Sequence, residues 1–253
     1  MVEAFRVTEL YVREPHFYGD VMLIGCSDVT DLEVFGLKGV NPSFNEAMST
    51  DMDDAMGSGT PDGVIDLSFV MLFDPLDQAG GGSYDFQRAD CVVPPSMTVC
   101  SPADGATVST FDYTSMADAT CLEPDPAHLT NMYTPKPNTV SGACFASSSA
   151  ALVLELGDIQ LPLTDAEVAA TYDADPADNF APGLIKGFVS ETDAQNTMLP
   201  PDIQDATGAT VLADLLPGSP SNCANHDDRD DNNGTSGWWF YVDFVAERVP
   251  WTP

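Results

Sequence analysis

Positive charge is nearly missing from this chain of 253 residues: 8 Lys plus Arg stand against 40 Asp plus Glu, a formal net charge of −32 at pH 7. Such a surface repels nucleic-acid phosphates, so nucleic acid is excluded as a partner, and it repels anionic lipid headgroups in the same way. The carboxylates are spread along the whole length rather than gathered in a tail. That is the pattern of a protein kept dissolved in salty water, where screening relieves the self-repulsion. Also missing is any apolar run near the roughly 20 residues that a transmembrane helix needs. The opening MVEAFRVTELY has no basic start followed by an apolar stretch, so Met1 reads as the start of a mature or trimmed chain.

Catalytic signatures are lacking too. The serine run in ACFASSSAA does not sit in the Gly-x-Ser-x-Gly turn of an α/β-hydrolase. His16, His128 and His226 are isolated in sequence, and acid–base or zinc chemistry needs at least two of them to converge in space. Paired carboxylates for glycoside hydrolysis cannot be singled out in a chain with 40 of them. The six cysteines, Cys26, Cys91, Cys100, Cys121, Cys144 and Cys223, include no CxxC pair and no histidine at zinc spacing. They read as disulfide partners in an oxidising compartment. Fifteen connectivities are open to six cysteines; Cys91 with Cys100 and Cys121 with Cys144 are the local pairs to try first.

One stretch has the spacing that chemistry requires: residues 49–74, STDMDDAMGSGTPDGVIDLSFVMLFD. A looped calcium site takes oxygen ligands at alternate positions, with Gly for the sharp turn, a backbone carbonyl next, and an apolar residue facing the core. Asp62, Gly63, Val64, Ile65 and Asp66 fit the second half of that pattern. Asp51 and Asp53 supply its first ligands if residues 54–61 are an inserted excursion, and the Val64 carbonyl completes the protein set. The DGVID run resembles dockerin and thrombospondin type 3 loops. Phe69 stands where a bidentate carboxylate is usual, so Asp54, Asp74 or water has to finish the shell. The competing reading is a solvated acidic turn. An all-oxygen set without histidine points to calcium rather than a catalytic zinc.

Elsewhere alternation dominates. Phe5 to Val12, Asp20 to Cys26, Leu67 to Phe73, Ser83 to Cys91, the ALVLELGDIQLPL stretch, Gly183 to Val189 and Trp238 to Val249 read as strands. Short helices are expected at Phe44 to Met48 and at Asp165 to Tyr172, the latter from Thr164 and Glu167 as a capping box, with another from Ser190 to Thr197 and a turn at Leu212 to Leu216. Residues 92–149, rich in Pro, Ser, Thr and Cys, read as a disulfide-stapled excursion or subdomain. Residues 222–237 read as a long polar hairpin loop. The whole points to a single mainly β domain over 1–253, an antiparallel, jelly-roll-like sandwich with short helices at its crossovers.

The runs FRVTELYVREPHFY, DGVIDLSFVMLFDPLDQ and GWWFYVDFVAERV resemble acidic, cysteine-containing exported proteins of marine bacteria, often lipoproteins. The resemblance implies an envelope or extracellular location and adds no activity. The leading expectation is therefore a non-enzymatic extracellular or cell-surface structural or binding module, stabilised by calcium and able to assemble with itself or meet an extracellular glycan or protein. The alternatives are a carbohydrate-binding module that stacks sugar rings on Trp239 and Tyr241, and a calcium-dependent secreted hydrolase with its site in the Cys91 to Cys144 region.

Overall fold

The computed structural model describes residues 2–21, 24–34, 37–49, 63–92, 97–156 and 159–253. Eight long strands make up the body: β1 (Glu3–Glu14), β2 (Phe69–Phe73), β3 (Gly81–Val92), β4 (Ser109–Leu122), β5 (Val140–Ser147), β6 (Ile159–Tyr172), β7 (Asn179–Ser190) and β8 (Thr235–Val249). Each pairs antiparallel with the next in chain order. The first and last strands then pair with each other, from Ala4 opposite Val249 to Glu14 opposite Tyr241, so the sheet closes on itself. The two layers expected of a sandwich are opposite walls of this one sheet, and the chain visits them by neighbour-to-neighbour turns.

Alternation explains what fills it. Tyr84 and Phe86 of β3, Phe111 and Tyr113 of β4, and Trp238, Phe240, Val242 and Phe244 of β8 are buried in one continuous core. Phe5 and Phe180 stack across the interior with centroids 4.0 Å apart. An eight-stranded barrel is just wide enough to be filled by side chains, and aromatic rings occupy this one. The intervening positions carry Asp85, Asp112, Lys186 and Glu247, none of them buried. That polarity is the reverse of a lipid-facing barrel, whose apolar band points outward.

The wall has a seam between β1 and β2. β2 pairs with β1 only over residues 3–6, which leaves the backbone edge of β1 unpaired further along. Helix α1 (Val40–Ser49) seals it with two side-chain amides. Asn41 Oδ1 accepts from the Val12 N–H at 2.7 Å while its Nδ2 donates to the Val12 carbonyl at 3.0 Å. Asn45 does the same for Leu10, at 2.9 and 2.8 Å. The match is geometric: four helical residues rise about 6 Å and two strand residues about 6.6 Å. A buried backbone edge has to find partners, and this helix supplies them.

Several expectations change form. Asp165 to Tyr172 is strand, not helix: Asp165 sits at φ 49° in a register shift, and Val168, Ala170 and Tyr172 then turn into the core. Pairing with β5 and β7 outweighs the helical preference of its alanines, because propensity is weaker than tertiary context. Asp20 and Cys26 face each other across a hairpin, Tyr18–Val21 against Gly25–Asp28, rather than sharing one strand. Residues 92–149 are stapled by two disulfides, as expected, yet they contribute β4 and β5 to the wall. The longest loop among their described residues is 123–139. Short helices α2 (Glu191–Asn196) and α3 (Pro201–Thr207) and a 3₁₀ turn at Leu212–Leu215 follow β7. The polar hairpin at 222–237 ends in a tight turn at Asn233-Gly234 between Asp230–Asn232 and β8.

Candidate functional site: an apolar pocket at one end of the barrel

Three excursions meet at the end where β1 finishes and β8 begins. The first is the 15–49 segment, with the hairpin and α1. The second is the pair of strand ends, around Leu156 and Ile159, where Ala150–Leu156 pairs with the start of β6. The third is the helical stretch from Leu199 to Leu215. Together they enclose a cavity of about 290 Å³. Phe17, Val21 and Val29 form one wall, Leu156, Ile159 and Leu161 a second, and Leu199, Ile203, Leu212 and Leu215 a third. Val40 and Phe44 of α1 close the side toward the seam. Polar side chains are few and peripheral: Ser43, Thr207, and Lys38, whose ammonium is paired with Glu46. An engineered apolar cavity of about 150 Å³ stays dry and takes benzene, so this one has room for roughly twice that bulk.

The hairpin wall is locked from outside to the segment that follows the third excursion. Cys26 is bonded to Cys223, and Asn222 Nδ2 donates to the Tyr18 carbonyl at 3.1 Å. With Cys91–Cys100 and Cys121–Cys144, the two local pairs read from spacing, all six cysteines are bonded.

Behind that wall lies a polar cluster. His16 Nδ1 lies 2.6 Å from Asp28 Oδ2, and its ring stacks on Tyr133 with centroids 3.8 Å apart. The Tyr133 hydroxyl donates to Asp228 Oδ2 at 2.5 Å and lies 2.9 Å from His226 Nε2. Glu14, buried beside them, accepts from the Thr130 N–H at 3.3 Å and from its hydroxyl at 3.2 Å. Burial pushes the Glu14 carboxyl up to about 7, the Thr130 bonds oppose it, and the nearby Asp228 charge adds to it. Burial likewise raises Asp228. Burial also works against an ionised Asp28, but hydrogen bonds from His16 and the Thr30 N–H hold its carboxyl below the usual range. Two isolated histidines therefore do converge, as no sequence signal could show. The ring between them, Tyr133, is 5 % exposed, so the centre of the cluster is packed rather than open to a substrate.

Trp239 and Tyr241 do not form a sugar platform. Residues 123–139 run as a strap up the outside of β8: the Asp125 N–H donates to the Tyr241 hydroxyl at 3.1 Å, and the His128 ring lies parallel to Trp239 at 4.8 Å. Lys186 sits over the Trp239 ring at 4.9 Å, and Trp239 and Tyr241 are 8 % and 0 % exposed. A sugar ring needs a bare aromatic face, and these are already covered.

Of the expected calcium ligands, Asp51, Asp53 and Asp62 lie outside the described residues. Val64 bridges to Val92, Ile65 is buried with its N–H donating to the Cys91 carbonyl at 2.9 Å, and Asp66 is exposed. No group of three or more metal-ligating side chains occurs among the described residues.

No known family model, curated protein or solved structure matches this chain. Its function has to be read from the site alone. No helix among the described residues is long and apolar enough to cross a membrane.

A second, larger cavity of about 620 Å³ lies at the opposite end, among Glu3, Asp74, Asp77, Asp175 and Arg248. Its one cation is spent on the fold: Arg248 donates to Glu3 Oε1 and, through Nε at 2.9 Å, to the Ala177 carbonyl. Asp77 is likewise spent, accepting from the Ala79 and Gly80 N–H groups at 2.9 and 3.0 Å.

Proposed function

We propose that this protein is a non-enzymatic, exported binding module that holds an uncharged apolar small molecule in the pocket at the barrel's end. The observation that carries the reading is the lining: a concave site whose walls are almost wholly aliphatic and aromatic, set at the mouth of a barrel that is otherwise filled. Preformed apolar concavities of this size are the usual seats of small ligands. A neutral ligand is favoured over a fatty acid, because the chain carries a net charge of −32 and the one lysine at the rim is already paired. Export is supported by three disulfides, which persist in oxidising compartments.

The test uses Nile red and 1-decanol as neutral probes. Saturable Nile red fluorescence, displaced by decanol, is expected for the native chain. Ala206, which lines the pocket from an exposed position, is replaced in Ala206→Trp so that the indole fills the cavity. Affinity is then expected to fall about tenfold or more with Tm little changed. Equal binding by both proteins would remove the pocket from consideration.

Calcium belongs to the same proposal, as a stabilising ion for the loop from Asp51 to Asp66. Its support is the burial of Ile65, the apolar position of such a loop, against the strand that carries Cys91. Excess EGTA is expected to lower Tm, with recovery on adding calcium but not magnesium. An unchanged Tm together with no bound metal rules the ion out.

A further inference from the structure

We propose that the pocket is gated by protonation, because the hairpin that forms one of its walls carries the buried acid cluster on its other face. The proposal rests on the pocket reading above. Alternate residues of the hairpin face opposite ways: Phe17, Val21 and Val29 line the cavity, while His16, Tyr18 and Asp28 join the cluster. A shift of the hairpin cannot change one face and spare the other. Backbone bonds make the two faces one body, with the Val29 N–H donating to the Phe17 carbonyl at 2.8 Å and the Phe17 N–H to Thr30 Oγ1 at 2.8 Å.

Glu14 is the group on which the cluster turns. On its own strand, the neighbouring Arg13 is turned away and paired with Asp243 Oδ2 at 2.8 Å, so it does not neutralise Glu14. From β8, the facing residue is Tyr241, a neutral phenol. From the strap come Thr130, which donates two hydrogen bonds, and Tyr133; Asp125 and His128 stay beside the Tyr241 hydroxyl. From the hairpin side come His16, Tyr18 and Asp28, the first and last engaged with each other. From the 217–229 segment come His226 and Asp228. Asp228 has a second oxygen, Oδ1, that is buried without a hydrogen-bond partner and lies 3.6 Å from His226 Nε2. A second carboxylate already short of partners makes an ionised Glu14 costly in this packing.

The sign follows from linkage. The Glu14 carboxyl titrates at about 7 here, against 4.5 for the free group. The packed arrangement thus binds the proton more tightly than an opened one. Its advantage is full below about pH 4.5 and is lost as pH rises through about 7. Apolar affinity should be high in mild acid and weaker in mild base.

Nile red binding to the full chain is measured at pH 5.5 and 8.0, with near-UV circular dichroism confirming the fold at both. The expected result is a rise in Kd of between about threefold and thirtyfold at pH 8.0, the upper figure being the share of one such carboxyl's linkage that falls between these two pH values. Glu14→Gln, a permanent mimic of the protonated acid, is expected to bind at pH 8.0 as the native chain does at pH 5.5. Asp228→Asn, which removes the charge that helps to raise Glu14, is expected to flatten the profile or move it to lower pH, and it serves if Glu14→Gln fails to fold. Saturable binding with the same Kd at both pH values overturns the gate and leaves the pocket standing. The native pH profile persisting in Glu14→Gln, or in Asp228→Asn where the former does not fold, also overturns it. Absence of saturable binding at either pH sinks the pocket and the gate together.

Discussion

Phe73→Ala is expected to cost about 3–5 kcal/mol of folding stability, a fall in Tm of about 6–20 °C for a chain of this size. The side chain is fully buried in the barrel interior. Its ring stacks on Tyr84 at 4.8 Å and meets four others edge-on: Phe5 at 5.8 Å, Tyr113 at 5.2 Å, Phe145 at 5.7 Å and Phe180 at 5.9 Å. These rings come from five other strands, so truncation loosens most of the wall at once. Edge-to-face aromatic pairs add about 0.5–1.5 kcal/mol beyond the area they bury. Urea unfolding of this variant beside Val108→Ala, which alters a half-exposed side chain, separates the mechanisms. A loss for Phe73→Ala no larger than for Val108→Ala would mean that the interior repacks freely and is not held by ring geometry.

Replacing Cys26 and Cys223 together by serine has the second large expected effect. This disulfide spans 197 residues and ties the pocket's hairpin wall to the segment before β8. In the chain-entropy account a loop of about 100 residues is worth about 4.7 kcal/mol, and the cost grows only logarithmically beyond that. The two nested disulfides shorten the effective loop, so a loss of about 3–5 kcal/mol is expected. Nile red affinity should fall with it, by about tenfold, because Phe17, Val21 and Val29 lose their outer anchor. The matching pair of serines at Cys121 and Cys144 removes a disulfide that joins β4 to β5, away from the pocket, and should leave affinity within about twofold. Should the first pair lower stability and leave binding intact, the Asn222 bond to the Tyr18 carbonyl would be enough to hold the wall.

What could be read from the chain was local. The alternation in Trp238 to Val249 and in Leu67 to Phe73 marks strands, because a period of two buries one face whatever lies opposite. Ser190 caps α2 as its sequence suggests, its hydroxyl accepting from the Asp193 N–H at 3.0 Å. The short separations of Cys91 from Cys100 and of Cys121 from Cys144 marked the local pairs to try first, and both form. The helix read at Asp165 to Tyr172 fails for the opposite reason: its capping box is a local signal, and the two neighbouring strands that claim the segment are not. The site was less legible still. Apolar residues of the pocket come from three separate segments, and each alone looks like ordinary core.

The sequence by itself determined the mainly β class, the acidic surface and the inventory of bonded cysteines, since composition, period and charge belong to the chain without reference to any contact. Only the tertiary structure decided that β1 and β8 close the sheet, that Asn41 and Asn45 seal its seam, that a strap covers Trp239 and Tyr241, and that His16, Tyr133, His226 and Asp228 share one cluster. Each of these joins groups far apart along the chain, such as Tyr133 and Asp228, 95 residues apart. Such pairings depend on register and on the rival partners available in three dimensions, and neither is encoded in any single stretch.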